Sequence, residues 1–356
     1  MTTATKTPVD PAKIREFADT AERLRAELAR RIIGLETVID DLLIALLSGG
    51  HCLLVGVPGL AKTLLIQSLA ELTDLDFRRI QFTPDLMPSD IVGTEVIVKD
   101  KATGERTFQF MRGPVFAHVV LADEINRTPP KTQAALMEAM EERQVTSVGE
   151  RYDLEPPFFV LATQNPIEQE GTYPLPAAQL DRFLFNVWLD YPEHVDEKAI
   201  VRLTTTREHV DLTPILTRED ILSLLTLVRT IPASAEVLAY AVDLARRSRP
   251  RRRHAPDFVD EWVAWGGGPR AAQALVVGGK ARALLHGRAE VLAEDLRAVA
   301  HPVFRHRLIT NFQAEADGVT PRDIIERLIE TTPAPDRAAA ADRPRSFWSR
   351  IFGSRS

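Results

Sequence analysis

The chain has 356 residues, enough for a sizeable core and for two domains. Its composition, 45% hydrophobic and 26% charged, is that of an ordinary soluble globular protein, and a formal net charge of −6 gives no global attraction to nucleic acid or to an anionic membrane. The single Cys52 excludes an intramolecular disulfide and a cysteine-built metal cluster, so a reducing cytoplasmic setting is expected.

The N-terminus, "MTTATKTPVDPAK", has no apolar run and does not read as a signal peptide. Pro11 to Arg31 predicts an amphipathic, charge-rich helix, and Glu36 to Leu47 a second, more apolar one. Residues 42–61 carry no formally charged side chain, which is spanning length. Ser48-Gly49-Gly50-His51 cuts that run, however, and a helix end, a turn and a buried strand account for it better. "CLLVG" (52–56) reads as a strand buried on both faces, with Cys52 a small core residue, and Lys62 to Leu72 as a helix.

Further short strands are predicted at "FRRIQF" (77–82), "HVVLAD" (118–123), "PFFVLATQ" (157–164) and "FLFNVWL" (183–189). "TEVIV" (94–98) and "RTFQF" (106–110) flank the polar "KDKATGE", which predicts a hairpin within an insert at 83–113. Helical periodicity then dominates 193–331, broken at Pro214, Pro232, Pro250, Pro269 and Pro302. The alternation of apolar strands with helices implies an α/β layer fold with a mainly parallel sheet over 1–192, followed by an all-α second domain over 193–331. From Thr332 to Ser356 the composition is that of a disordered basic tail.

Between the first buried strand and its helix stands "GVPGLAKTL": Gly56, Val57, Pro58, Gly59, Leu60, Ala61, Lys62, Thr63 and Leu64. A phosphate cradle needs inward-pointing backbone N–H groups at a helix N-terminus. Gly59 allows a backbone that side chains would block, Lys62 can reach the β and γ phosphates, and the Thr63 hydroxyl can hold magnesium. Ala61 stands where the usual pattern has its second glycine. It costs little if the backbone there is near helical, and damages the loop if a positive φ is required.

"VVLADEINR" (119–127) ends a strand in two carboxylates. In a parallel sheet these lie at the C-terminal edge, where ligands bind. Asp123 suits magnesium, directly or through water, and Glu124 suits polarising the attacking water. "VLATQNP" puts Asn165 at the same edge, where a neutral amide can orient that water.

These elements resemble the AAA+ ATPases, and within them the MoxR family, over roughly residues 11–331. The resemblance rests on "GVPGLAKT", "LADEINRTPPKTQAALMEAMEERQVT", "ATQNPIEQEGTYPLPAAQLDRF" and "GGPRAAQAL", in the family's order. It implies a P-loop NTPase fold, a three-layer α/β core with a parallel sheet followed by an all-α lid, and ATP with Mg2+ as ligands. An alanine before the loop lysine is common in MoxR proteins, so the resemblance implies an intact cradle.

Carried over by position, Lys62 and Thr63 fall on Walker A, Asp123 and Glu124 on Walker B, and Asn165 on sensor 1. Arg182 in "LDRF" falls on the arginine finger, with Arg127 as its competitor. Arg270 falls on sensor 2, at the start of a lid helix, where Gly268 replaces a more usual capping serine. Ile33-Gly34 matches the segment beside adenine, with Leu35 where glutamine is common, and the 83–113 insert resembles the family's extra β-hairpin.

The resemblance further implies Mg-ATP bound between core and lid, hydrolysis completed by a neighbouring subunit, and a ring expected to be hexameric. It also implies a chaperone-like role in assembling or activating complexes, often with partners containing von Willebrand factor A domains; nothing identifies the client. A non-hydrolysing ATP-dependent switch or scaffold is the alternative, and a nucleic-acid motor a third. The last is prompted by six arginines between positions 246 and 254, which read more simply as a solvated loop because no aromatic residue interleaves them. The tail "RPRSFWSRIFGSRS" is the one segment suited to membrane contact. The eight histidines show no metal-site spacing.

Overall fold

A computed structural model describes residues 10–99, 106–147, 149–167, 171–205 and 210–335. The tip of the 83–113 hairpin (100–105) and most of the tail (336–356) lie outside the described residues. The core comprises helices α1 (Pro11–Ala29) and α2 (Glu36–Ser48), strand β1 (Cys52–Gly56), α3 (Lys62–Leu72), β2 (Phe77–Gln81), α4 (Pro88–Val92), β3 (Gly93–Lys99), β4 (Arg106–Arg112), β5 (Val119–Asp123), α5 (Pro130–Glu142), β6 (Gln144–Ser147), β7 (Glu150–Asp153), β8 (Phe159–Gln164), α6 (Ala177–Leu180) and β9 (Phe185–Leu189). The second half adds α7 (His194–Thr205), α8 (Arg218–Thr230), α9 (Ala235–Arg247), α10 (Asp257–Trp262), β10 (Val263–Trp265), α11 (Pro269–Leu285), α12 (Ala293–Ala298), α13 (Ala300–Phe304), β11 (Ile309–Thr310), α14 (Phe312–Ala316) and α15 (Pro321–Thr331).

The principal sheet has five parallel strands in the order β2-β5-β8-β1-β9. Its three central strands, β5, β8 and β1, are apolar on both faces, as a sheet covered by helices requires, while edge strand β2 exposes Arg78 and Arg79. Leu53, Val120, Val160 and Ala162 face a layer built around α5, through Leu136, Met137 and Met140. Cys52, Leu54, Leu121, Leu161 and Phe185 face the other layer, with α1, α2 and α3. The charge-free stretch 42–61 resolves into the end of α2, the turn, β1 and the loop after it, and no helix of the described residues is long and apolar enough to cross a membrane.

Three sequence expectations need correction. The second half is not purely helical, because β10 and β11 pair as a two-stranded antiparallel sheet. A second hairpin, β6–β7, was not anticipated, its four-residue strands being too short to show periodicity. Pro302 does not break a helix but sits inside α13, whereas Pro269 does mark a boundary, opening α11 where its missing N–H costs nothing.

The two halves share one apolar core. Residues of α1, α2 and β9 belong to the same buried cluster as those of α8, α9, α11 and α12. Gly278 and Gly279 of α11 let that helix approach closely; a Cβ on Gly278 would lie 3.0 Å from the Phe185 ring. The helical half is therefore seated against the α1–α2 layer and the β9 end of the sheet.

Candidate functional site

The expected loop forms between β1 and α3. Gly59 (φ 87°) and Ala61 (φ 53°) both lie in the left-handed region. Of the two conformations weighed for Ala61, the structure takes the costly one, about 1–2 kcal/mol for a residue bearing a Cβ. The loop tolerates this: the Lys62 ammonium reaches back across it to the Gly56 carbonyl, and the space where a Cβ on Gly59 would stand is open. Lys62 and Thr63 occupy the first turn of α3, whose early N–H groups have no intrahelical partners.

Three neighbouring strand ends complete this edge. β1 pairs with β8 and β8 with β5, so Gly56, Asn165 and Asp123 follow one another across about 10 Å of sheet. Asp123 accepts from the Thr163 hydroxyl at 2.6 Å and from Arg79, through Nη2 at 2.6 Å and Nε at 3.1 Å. Glu124 (φ 57°) donates its backbone N–H to the same Thr163 hydroxyl at 2.8 Å. Its carboxylate accepts from Gln81 Nε2 and Arg127 Nη1, both at 2.9 Å. Asn165 is buried, and its side-chain oxygen accepts from the Ile167 N–H at 3.2 Å.

Thr163, Arg79 and Gln81 escaped the sequence reading. Gln81 is in register with Asp123, but only the strand order brings β2 beside β5. On the side expected for adenine, Ile33 and Gly34 are half-buried, and Gly34 lies against the Asp196 carboxylate from the first turn of α7.

Arg182 and Arg270 do not join this edge. Arg182 precedes β9, and Leu184 donates its N–H to the His51 carbonyl before β1 at 2.8 Å, so this segment is at the N-terminal edge of the sheet. Arg270 sits in the first turn of α11. Both reach one acid, Glu141, at the end of α5: Arg182 Nη2 at 2.5 Å from Oε2, and Arg270 Nη2 at 2.8 Å from Oε1. β1, which separates the two edges, is five residues long, about 16 Å. That span exceeds an extended arginine side chain. The expectation that ATP lies between the core and its own lid is corrected for Arg270, which stands at the far edge of the sheet, whereas α7 of the helical half reaches the adenine side through Asp196.

The N-terminal edge is rigidly built. Arg143 donates to the Phe158 carbonyl and the Gly49 carbonyl, each at 2.6 Å. His51 is fully buried, its Nδ1 accepting from the Val160 N–H at 3.0 Å while Nε2 faces the Met140 carbonyl at 3.2 Å. Burial, with Arg143 nearby, lowers its pKa to about 3 and keeps it neutral. Buried Arg307 holds Asp181 at 2.7 Å and the Phe183 carbonyl at 2.6 Å.

The arginine-rich loop serves this edge too. Arg249 donates to the Gly267 carbonyl at 2.7 Å, and a Cβ on Gly266 would strike the Ser248 carbonyl at 2.0 Å. The loop thus shapes the glycine segment that leads into Arg270. A cleft of about 790 Å³ opens here, lined by Glu141, Arg182, Arg270 and Arg229 among others.

The residues at the C-terminal edge fit Mg-nucleotide. Thr63 and Asp123 are hard oxygen donors of the kind magnesium accepts beside phosphate oxygens, and no cluster of three or more His, Cys, Asp or Glu among the described residues offers a rival metal site.

Residues 51–185 match the family described as "ATPase family associated with various cellular activities (AAA)", and residues 258–328 the "AAA lid domain". The chain is similar to Chaperone MoxR1 of Mycobacterium tuberculosis, 39% identical over 328 residues that cover 92% of this chain and 85% of the relative. It is similar to Protein MoxR of Methylorubrum extorquens, 31% identical over 91% of this chain and 98% of that one. A crystal structure from Cytophaga hutchinsonii superposes with a TM-score of 0.84 at 39% identity, covering 91% of this chain and 98% of the other.

Proposed function

The chain belongs to the MoxR family of AAA+ ATPases, and on that premise we propose that it hydrolyses Mg-ATP in sites shared between adjacent copies. The observation that carries this reading is the separation of Arg182 and Arg270 from the cradle by the full height of the sheet. One copy then supplies the cradle and acids, and the next supplies the arginines. A contact between opposite edges is head-to-tail, and such contacts close into rings when the rotation between copies closes. We place six copies in that ring, as the resemblance implies.

Within each site, Lys62 and the N–H groups of the loop bind the phosphates of ATP. Thr63 and Asp123 would hold magnesium, which would supply charge neutralisation for the phosphoryl oxygens. The Asn165 amide orients a water in line with the γ-phosphorus. Glu124 accepts the proton as that water's oxygen bonds to phosphorus and the bond to the β-phosphate oxygen breaks, releasing ADP and inorganic phosphate. Thr163 binds both Asp123 and the Glu124 backbone, so it fixes the two acids relative to each other. Arg182 and Arg270 of the neighbouring copy stabilise the developing charge. Arg127 is paired with Glu124 of its own chain, which favours Arg182 as the residue donated across the interface.

Turnover would move one copy against the next and so drive chaperone-like remodelling. The β3–β4 hairpin suits client contact: Ile97 and Phe108 form a cross-strand pair, 59% and 73% exposed. A partner with a von Willebrand factor A domain is proposed from the family resemblance. The ion pairs Arg79–Asp123 and Arg127–Glu124 favour a second reading, a switch that holds nucleotide without turning it over. ATPase rate per subunit, measured against protein concentration with magnesium present, tests the shared site. A specific activity that climbs with concentration is expected. A flat rate down to concentrations where light scattering sees monomer would refute sharing, and no phosphate release at any concentration would favour the switch.

A further inference from the structure

The string "LMEAMEERQVT" extends far beyond what nucleotide hydrolysis uses, and the structure gives part of it a task. Glu141 binds Arg182 of the core through one carboxylate oxygen and Arg270 of the helical half through the other. We propose that Glu141 is the positioning residue that presents these two arginines, as a pair, to the nucleotide of the adjacent copy. The proposal rests on the shared-site reading and adds to it the residue that organises the donated half.

Two guanidinium groups aimed at one phosphoryl group repel each other. A carboxylate between them offsets that repulsion and leaves the pair net positive. Each guanidinium has five N–H donors, so a contact with Glu141 leaves others for phosphate oxygens. The partners are partly exposed, with side chains 30%, 45% and 34% accessible for Arg182, Arg270 and Glu141. An ion pair so exposed adds little to stability, which makes presentation the larger consequence of the geometry.

The supports of all three residues are fixed. Arg143, two residues after Glu141, ties the end of α5 to the Gly49 and Phe158 carbonyls. Arg307 and His306 hold the Phe183 carbonyl, and Arg307 also holds Asp181, on either side of Arg182. Arg249 and Ser248 brace Gly267, ahead of Arg270. A charged pair carried on rigid supports and oriented by a third residue is the arrangement that positioning demands. Because Glu141 spans the core and the helical half, it also makes delivery of both arginines depend on how those halves are seated.

The test uses full-length protein and mixed subunits. Glu141→Ala should bind nucleotide, assemble and melt as the parent does, with KM unchanged and kcat lowered by about ten- to a hundredfold. Glu141→Gln, which keeps one acceptor oxygen, should fall between. Mixing Glu141→Ala with Lys62→Ala should restore turnover, since the second protein donates a well-ordered arginine pair to the intact cradle of the first. Mixing it with Arg182→Ala should not, since both lack the same half. Parental kcat in Glu141→Ala would overturn the proposal. So would loss of assembly, or a failure of Lys62→Ala to rescue Glu141→Ala while it rescues Arg182→Ala. If Lys62→Ala rescues neither, the shared site itself fails, and the proposal falls with it.

Discussion

The two edges of the parallel sheet are opposites in chemistry and alike in construction. At the C-terminal edge, two acids end a strand near the lysine-bearing loop, and arginines answer the acids: Arg79 on Asp123 and Arg127 on Glu124. At the N-terminal edge two arginines gather, and one acid, Glu141, answers both. The acids of the first edge are paired within it, the second edge remains net positive, and each holds what the other lacks. A head-to-tail pair of copies brings phosphate against guanidinium. The lesson is that a charged half-site can wait in water at little cost if its own neighbours pair it, because exposed ion pairs are weak enough to exchange.

The strongest test of this contrast is to remove one edge at a time. Arg182→Ala should lower kcat by about a thousandfold, as expected of an arginine finger, while nucleotide affinity of the isolated chain stays unchanged. An equal loss of affinity, read by fluorescent-nucleotide titration, would place Arg182 at its own cradle. Glu124→Gln should keep ATP bound and lower kcat by about a hundredfold or more; near-parental phosphate release would remove Glu124 as the base.

Smaller effects separate the edges by stability. His51 underlies only the N-terminal edge, and its folded pKa of about 3 lies below the ordinary value of 6.5. Its neutral form is the one the fold accepts, so its contribution is full above pH 6.5 and declines as pH falls toward 3. By pH 5 the loss is about 2 kcal/mol, measurable by urea denaturation at pH 7.5 and pH 5. A His51→Gln variant should be less stable at both values but have a flatter pH slope; an unchanged slope would assign the effect to other groups.

The smallest effect concerns the C-terminal edge. Ala61→Gly should relieve the left-handed alanine, offset in part by the freer unfolded chain, for a net gain of at most about 1 kcal/mol. A fall in Tm would show that Ala61 does not hold a positive φ in solution.

Much of the C-terminal edge was legible because its parts are local. A loop between a strand and a helix, or an acid ending an apolar strand, is a short-range pattern whose chemistry follows from where parallel strands end. Thr163, Arg79 and Gln81 were not legible, since each matters only through pairing of strands that are distant in sequence. The N-terminal edge was legible even less. Arg182 and Arg270 could be singled out by position in a motif, but neither their side of the sheet nor their common acid could be.

The sequence alone therefore determined the strands and helices of the principal layers, that the sheet is parallel, and that a strand–loop–helix cradle with two acids stands at its C-terminal edge. Apolar periodicity, turn residues and helix starts act over a few residues at a time. Tertiary structure decided where the helical half sits, that it shares a core with α1 and α2, and that Glu141, Arg182 and Arg270 meet at the edge away from the cradle. Those outcomes depend on glycines that let α11 approach β9 and on carbonyls satisfied by arginines 94 and 124 residues away. No local propensity carries that information, because packing free energy is settled only when the distant surfaces are in contact.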